Sequence, residues 1–305
     1  MDTKVKFTPI AFPPSLLNMN DTIASTSNKN KRPIKISQTI VYILLTLFAL
    51  ICLFPIAWVL FASFKDNTSL LTKPWELPNP IQFQNYTVAW VSGKIGHYFV
   101  NSLVVSGATL LLNLIFSSMA AYAISRMKWK LSKVVMNIFL LGMMVPIHAT
   151  LIPLYLIFSK IGLINSMIGL IIPYMVFAFP TTIYILSSFF SSLPRDIEEA
   201  AVIDGCTLWD VFLKIILPIS TPGLFTVSIF GFVASWNELL VAMIFTTGDN
   251  AKTLPVGLTN FVGTYSTNYA PMLAAIVLAM IPTILIYCMF SNKIIGGMTA
   301  GAVKG

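Results

Sequence analysis

The sequence predicts an all-α integral membrane protein built on six transmembrane helices. Composition is the first of three observations behind this: 56% of the 305 residues are hydrophobic, 10% are charged, and the mean hydropathy is +0.82. The second is the placing of the charges. Histidines aside, no charged residue falls between Lys35 and Lys65, Lys94 and Arg126, Lys133 and Lys160, Lys160 and Arg195, Lys214 and Glu238, or Lys252 and Lys293. Each interval holds an apolar stretch of roughly 20 residues, enough to cross a bilayer as a helix. Third, these stretches do not alternate apolar and polar residues as barrel strands do. Backbone polar groups in lipid must be satisfied within the fold, and a helix does this inside one segment.

The spans are expected near 39–64, 98–124, 133–156, 167–190, 219–246 and 271–291, within a domain running from 38 to 305. Residues 1–37 form a polar tail with Ser, Asn and Lys between Asn18 and Ser37. The tail is too long and polar to lead a signal peptide, and the apolar run after it is too long for a signal core, so a flexible tail and a retained helix are expected. Between the first two spans lies "TKPWELPNPIQFQNYTVAW", where Pro74, Pro78 and Pro80 argue against one long helix. Trp75 and Trp90 there read either as interfacial anchors or as contacts for an external partner. Asn101 and Asn113 in the second span are expected to hydrogen-bond between helices. Prolines at 55, 146, 153, 173, 180, 271 and 282 lie in or at the ends of spans, where neighbours or a cavity must satisfy the backbone groups they free.

The fifth span contains "SWNELLVAMIF", with Glu238 as its acid. An ionisable group at that depth reads either as an ion-coupling site or as a pore-facing or interhelix polar contact beside Trp236 and Asn237. A proton relay would need further acids in other spans; none is there, so the contact is the expectation.

Lys and Arg set the orientation. Six lie in the N-terminal tail, four in the 124–133 loop (Arg126, Lys128, Lys130, Lys133), two in the loop 191–218 (Arg195, Lys214) and two in the C-terminal tail 292–305 (Lys293, Lys304). The opposite side has five: Lys65, Lys73, Lys94, Lys160 and Lys252. The positive-inside rule then places both termini and the loop 191–218 in the cytoplasm. The net charge of +8 is accounted for by topology, so no nucleic-acid partner is expected.

Catalytic and cofactor signatures are missing. The sequence holds no G-x-x-x-x-G-K-[ST] phosphate loop, no H-E-x-x-H and no G-x-S-x-G elbow. His97 and His148 lie near no Cys, Asp or Glu at ligand spacing, and Cys52, Cys206 and Cys288 are scattered. No cofactor, metal or catalytic residue is expected in the chain.

Five of the eleven acids crowd into the loop 191–218: Asp196, Glu198, Glu199, Asp204 and Asp210. Pro194 suits a helix start, and the acids after it complement the helix dipole. Ala200 and Ala201 favour helix, Gly205 supplies the positive φ that ends it, and Thr207 with Asp210 approaches a capping box for a second helix. Pro218 is expected to open the fifth span. Surface helices drawn to anionic lipid are basic, so an acidic pair of short helices points to a protein partner instead.

The spacing Glu199-Ala200-Ala201, three residues, Gly205, nine residues, Ile215, one residue, Leu217-Pro218 resembles the EAA loop of permease subunits in bacterial binding-protein-dependent ABC importers. "AYAISRMKW", "IPLY", "SWNELLVA" and "GMTAGAVKG" are similar to the carbohydrate subfamily, and more narrowly to the second permease of maltose-type and multiple-sugar importers. The resemblance implies the type I importer permease fold in the bacterial cell membrane. It implies docking of the loop, including Glu198, Glu199, Asp204 and Gly205, onto a cytoplasmic ATPase homodimer that binds ATP and Mg, with the tail 292–305 near that interface. A homologous second permease would complete the pore, and a sugar-binding protein outside would deliver an oligosaccharide or one of several sugars. A permease for a non-sugar solute and, more distantly, an ion-coupled carrier are the alternatives.

Overall fold

The computed structural model describes residues 36–263 and 267–302. The expected N-terminal tail therefore lies, to residue 35, outside the described residues, as do the last three of the C-terminal tail. Among the described residues the fold is helical, with one isolated bridge between Val262 and Thr267. The chain divides into two units, up to Pro55 and from Ile56.

Helix α1 (Ile36–Ala62) includes Pro55 and is apolar on every face from Ile40 to Phe54. The segment after it forms α2 (Asn67–Thr72), capped by Asp66 through Ser69, and α3 (Gln84–Thr87), which runs into a π turn over Val88–Ser92. Lys65 is buried here and donates to the carbonyls of Lys73 and Pro74 at 2.8 and 3.1 Å. The Trp58 indole donates to the same Pro74 carbonyl, and its ring lies 6.2 Å from that of Trp75.

Helix α4 (Ile95–Ser125) is the spine of the second unit. Its buried face runs through Tyr98, Asn101, Ser102, Ser106, Thr109, Asn113, Ser117 and Ala121, mostly small or short polar side chains. Small residues let helix backbones approach closely where lipid gives no hydrophobic drive between helices. The face packs against α7 (Met167–Ser192) in the most extensive helix pairing of the chain.

Two expected spans are broken. Residues 133–156 form α5 (Ser132–Met143) and α6 (Ile147–Lys160), bent by 96° at residues 144–146. Pro146 lacks an N–H and pushes Val145 out of helical conformation, so the chain turns there. The loop after α7 forms α8 (Asp196–Ile203) and α9 (Leu208–Ile219), and α10 (Thr221–Trp236) follows at 74°. Pro218 thus lies inside α9, and Pro222 stands in the first turn of α10, where its missing N–H costs nothing. Likewise Pro194 precedes the α8 cap, Arg195, rather than starting the helix. The fifth apolar stretch stops at Asn237 and restarts as α11 (Leu240–Phe245).

A loop leads to α12 (Leu254–Leu258) and then α13 (Tyr269–Ala302), which includes Pro282 and continues through most of the expected C-terminal tail. Among the described residues, four helices are each long and apolar enough to cross a membrane, or up to six spans if each bent pair counts as one. The second unit has a core cluster around Phe190 and Phe212, another around Trp236 and Phe261, and another around Tyr174 and Phe245.

Candidate functional site

The loop 191–218 folds through local chemistry. Arg195 O accepts the first α8 bonds from Glu198 N and Glu199 N, while Asp196, Glu198 and Glu199 occupy the positive first turn. At the other end Gly205 adopts φ +85°. Cys206 N–H reaches Ala201 O and Gly205 N–H reaches Val202 O, the two bonds of a Schellman close. Thr207 Oγ1 accepts from Asp210 N at 3.2 Å while Asp210 Oδ2 accepts from Thr207 N at 3.1 Å, a complete capping box. Lys214 then pairs with Asp210 at 2.6 Å across one turn. Residues Val211–Ile216 form a π stretch, closed by Leu217 N–H on Phe212 O.

One side of the pair packs inward. Ala201, Val211, Phe212 and Ile216 are buried with Ile124, Leu186 and Phe190; Ile215 and Leu217 are half-buried beside them, and Tyr122 meets Phe212 at 5.0 Å. The other side is exposed: Glu199, Ala200, Asp204, Gly205 and Pro218, together with apolar Val202, Ile203, Leu208, Trp209 and Leu213. Ile203 is 84% exposed. These residues form an exposed apolar patch rimmed by Glu199 and Asp204.

Glu198 faces inward, unlike its neighbour Glu199. Its Oε1 accepts from Arg126 Nε at 2.7 Å. Arg126, at the end of α4, also donates to the carbonyls of Phe190, Leu193 and Pro194 at 3.3, 3.1 and 3.4 Å. Sequence reasoning missed this role, assigning Arg126 with Lys128, Lys130 and Lys133 to the charge bias. The available signal was position, because Arg126 directly follows the apolar stretch. The three lysines are exposed and Arg126 is buried.

Further along α7 a cavity of about 290 Å³ opens between α7 and α10. Tyr174, Phe177 and Thr181 line it from α7, Phe230 and Ser235 from α10, and Glu238 from the break before α11. Glu238 Oε2 accepts from Tyr174 Oη at 2.7 Å and Ala242 N at 3.1 Å; Oε1 accepts from Val241 N at 2.9 Å. The carboxylate thus caps α11 and ties it to α7, and Tyr174 is a second contact the sequence reading did not find.

The neighbouring residues are used differently. Trp236 is buried, donates to Ala279 O at 3.0 Å, stacks on Phe232 and meets Phe99 edge-on. Asn237 is exposed and donates to Val233 O in its own helix. Asn113 is buried, and its carbonyl accepts from Ser117 Oγ, also within α4. Asn101 does bridge segments, donating to the carbonyls of Asn250 and Lys252 at 2.9 Å each.

At the opposite end of α4, Asp249 pairs with Lys94 at 2.7 Å and Lys252 at 3.1 Å. The hydrogen bond from Lys94 and then that from Lys252 hold its carboxyl well below the usual carboxylate range, and the same contact raises Lys94.

An all-helical membrane unit, a cavity walled by two of its helices and an exposed helix–Gly–helix loop at its end define a transport component rather than a catalytic enzyme. Residues 113–292 match the family described as binding-protein-dependent transport system inner membrane component, and the chain belongs to that family. It is 35% identical to the diacetylchitobiose uptake system permease NgcG of Streptomyces coelicolor, over 86% of this chain and 87% of that one. It is also 35% identical to the trehalose/maltose transport system permease MalG of Thermococcus litoralis, over 85% and 94% of the two chains. In fold it resembles a chain of a bacterial ABC transporter that imports alginate, with TM-score 0.76 and 23% identity, over 86% and 98% of the chains.

Proposed function

We propose that the chain is one permease half of an ATP-driven sugar importer of the oligosaccharide or multiple-sugar class. A homologous permease faces it across the pore, an ATPase dimer docks on the cytoplasmic side, and a sugar-binding protein delivers substrate outside. The relatives named as sugar permeases support the substrate class. The lack of a phosphate loop in this sequence supports a separate ATPase. Six crossings follow if α5 and α6 form one broken span and α10 with α11 another. At 1.5 Å per residue the 16 residues of α10 reach about 24 Å and α11 adds about 9 Å, together close to the bilayer core. Both termini and the α8–α9 loop then lie in the cytoplasm, as the Lys and Arg bias requires.

The observation that carries the coupling role is the loop itself, with Val202, Ile203, Leu208 and Trp209 exposed beside Glu199 and Asp204. In this reading closure of the ATPase dimer moves the seated loop, and the loop moves the cavity walls α7 and α10. The cavity opens alternately to the two sides, with each state biased by ATP on one side and by loaded binding protein on the other.

Ile203→Glu tests the docking. The side chain packs on little in this chain, so the change leaves folding and insertion within about 0.5 kcal/mol of wild type. Co-purification of the ATPase and sugar uptake should both fall. Retained ATPase binding and uptake would overturn the assignment.

A further inference from the structure

We propose that Arg126 is the positioning residue that makes the first coupling helix move as one body with α4 and α7. The proposal rests on the coupling role given above to the α8–α9 loop. The Arg126 side chain is 3% exposed and that of Glu198 is 17% exposed. Burying two charges costs nearly as much as their attraction returns, so such a pair is poor evidence for stability and better evidence for a fixed register.

The geometry specifies the register. Arg126 follows the last turn of α4, and its guanidinium lies where α7 ends and α8 begins. Nη1 takes the carbonyls of Phe190 and Leu193, Nη2 takes that of Pro194, and Nε takes Glu198 Oε1. One planar cation therefore meets the negative end of α7 and the acidic first turn of α8 at once. The α7–α8 corner, with Leu193 extended at φ −75° and ψ 143°, is clamped from a third helix.

The opposite end of α8 is built differently. Gly205 has positive φ, and a Cβ placed there would meet nothing within 4 Å. The joint between α8 and α9 is open, whereas the joint between α8 and the membrane helices is locked. Force applied at the exposed face of α8 then passes through Arg126 into α4 and α7, and α7 carries Tyr174, Phe177 and Thr181 to the cavity.

Two readouts test this. The first needs no transport: with the native Cys52, Cys206 and Cys288 replaced by Ser, spin labels at Asp204→Cys and Lys130→Cys in the full-length chain report the spread of distances between α8 and the α4–α5 loop. Arg126→Gln should broaden that distribution, Arg126→Lys should broaden it less, since a lysine keeps the charge but not the fork, and Glu198→Gln should also broaden it less than Arg126→Gln, because it keeps an acceptor for Nε and the three carbonyl contacts but leaves the buried guanidinium without its counter-charge. The second is sugar taken up per ATP hydrolysed by the assembled importer in proteoliposomes. Arg126→Gln should lower this ratio, with hydrolysis continuing while uptake is lost. A structural role alone would lower hydrolysis and uptake together and leave the ratio unmoved. An unbroadened distribution, or an unchanged ratio in Arg126→Gln, overturns the proposal. Broadening in a chain whose wild-type complex shows no ATP-coupled uptake would retire the importer reading and keep the clamp.

Discussion

Replacing Glu238 separates a structural cap from an ion-coupling carboxylate. The carboxylate accepts three hydrogen bonds, from Tyr174 Oη, Val241 N and Ala242 N. Side-chain hydrogen bonds inside membrane proteins average about 0.6 kcal/mol and reach about 1.7. Tyr174→Phe removes one and should cost about that range. Glu238→Ala removes all three, about 2–5 kcal/mol in sum, and leaves a six-residue helix without its N-terminal acceptor. Glu238→Gln falls between: its oxygen still serves one amide, but its NH₂ faces other donors and leaves one unpaired, at about 1–3 kcal/mol. The unfolding midpoint of the purified protein in an SDS titration should therefore fall in the order Tyr174→Phe, Glu238→Gln, Glu238→Ala, with uptake following the same order. A Glu238→Gln protein of wild-type stability but no uptake would refute the cap and make the charge itself the function.

Trp236→Ala should cost about 2–3 kcal/mol on the same titration, less than the ~3–5 of a water-soluble core, because the unfolded side chain in lipid is already out of water. Trp236→Phe, which keeps the stack on Phe232 and loses only the bond to Ala279, should cost about 1 kcal/mol. Gly205→Val should strain the loop by about 1–2 kcal/mol through backbone alone and reduce ATP-coupled uptake, while Gly205→Asn, whose side chain tolerates left-handed φ, should stay near wild type; equal losses in both would count against the conformational reason for the glycine. The depressed Asp249 carboxyl stabilises its loop above the ordinary carboxylate pKa of about 3.9 and loses that contribution as pH falls through the lower folded value. A spin label at Asn250→Cys should therefore gain mobility only below about pH 4, and Asp249→Asn should show that mobility already at neutral pH.

What the sequence disclosed was local. Gly205, Thr207 and Asp210 could be placed because a cap is decided by neighbours three or four residues away. The apolar stretches could be placed because hydropathy needs no knowledge of packing. The breaks after Met143 and Trp236 could not. Pro146 signals a freed backbone, but the 96° turn depends on what α5 and α6 pack against. Glu238 was visible as an acid inside an apolar stretch, yet its donor Tyr174 is 64 residues away. Arg126 was hidden by a rule that is correct on average: it sits among cytoplasmic cations in the proposed topology, and only its place directly after the apolar stretch sets it apart from them.

The connectivity of the site bears on how the loop works. Helix α8 follows directly from α7, and α9 leads at a 74° bend into α10; α7 and α10 are the two walls of the cavity. The loop is therefore the elbow between the walls, and Gly205 stands at its bend. Arg126 clamps α8 to α7 and Val211, Phe212 and Ile216 seat α9, while at Gly205 between them an added Cβ would meet nothing within 4 Å. A partner gripping both short helices would sense and set the angle between the walls, even though the cavity and the exposed patch share no residue. In the coupling role proposed above, two arms anchored in the core transmit an angular change over that distance where a uniformly flexible loop would absorb it.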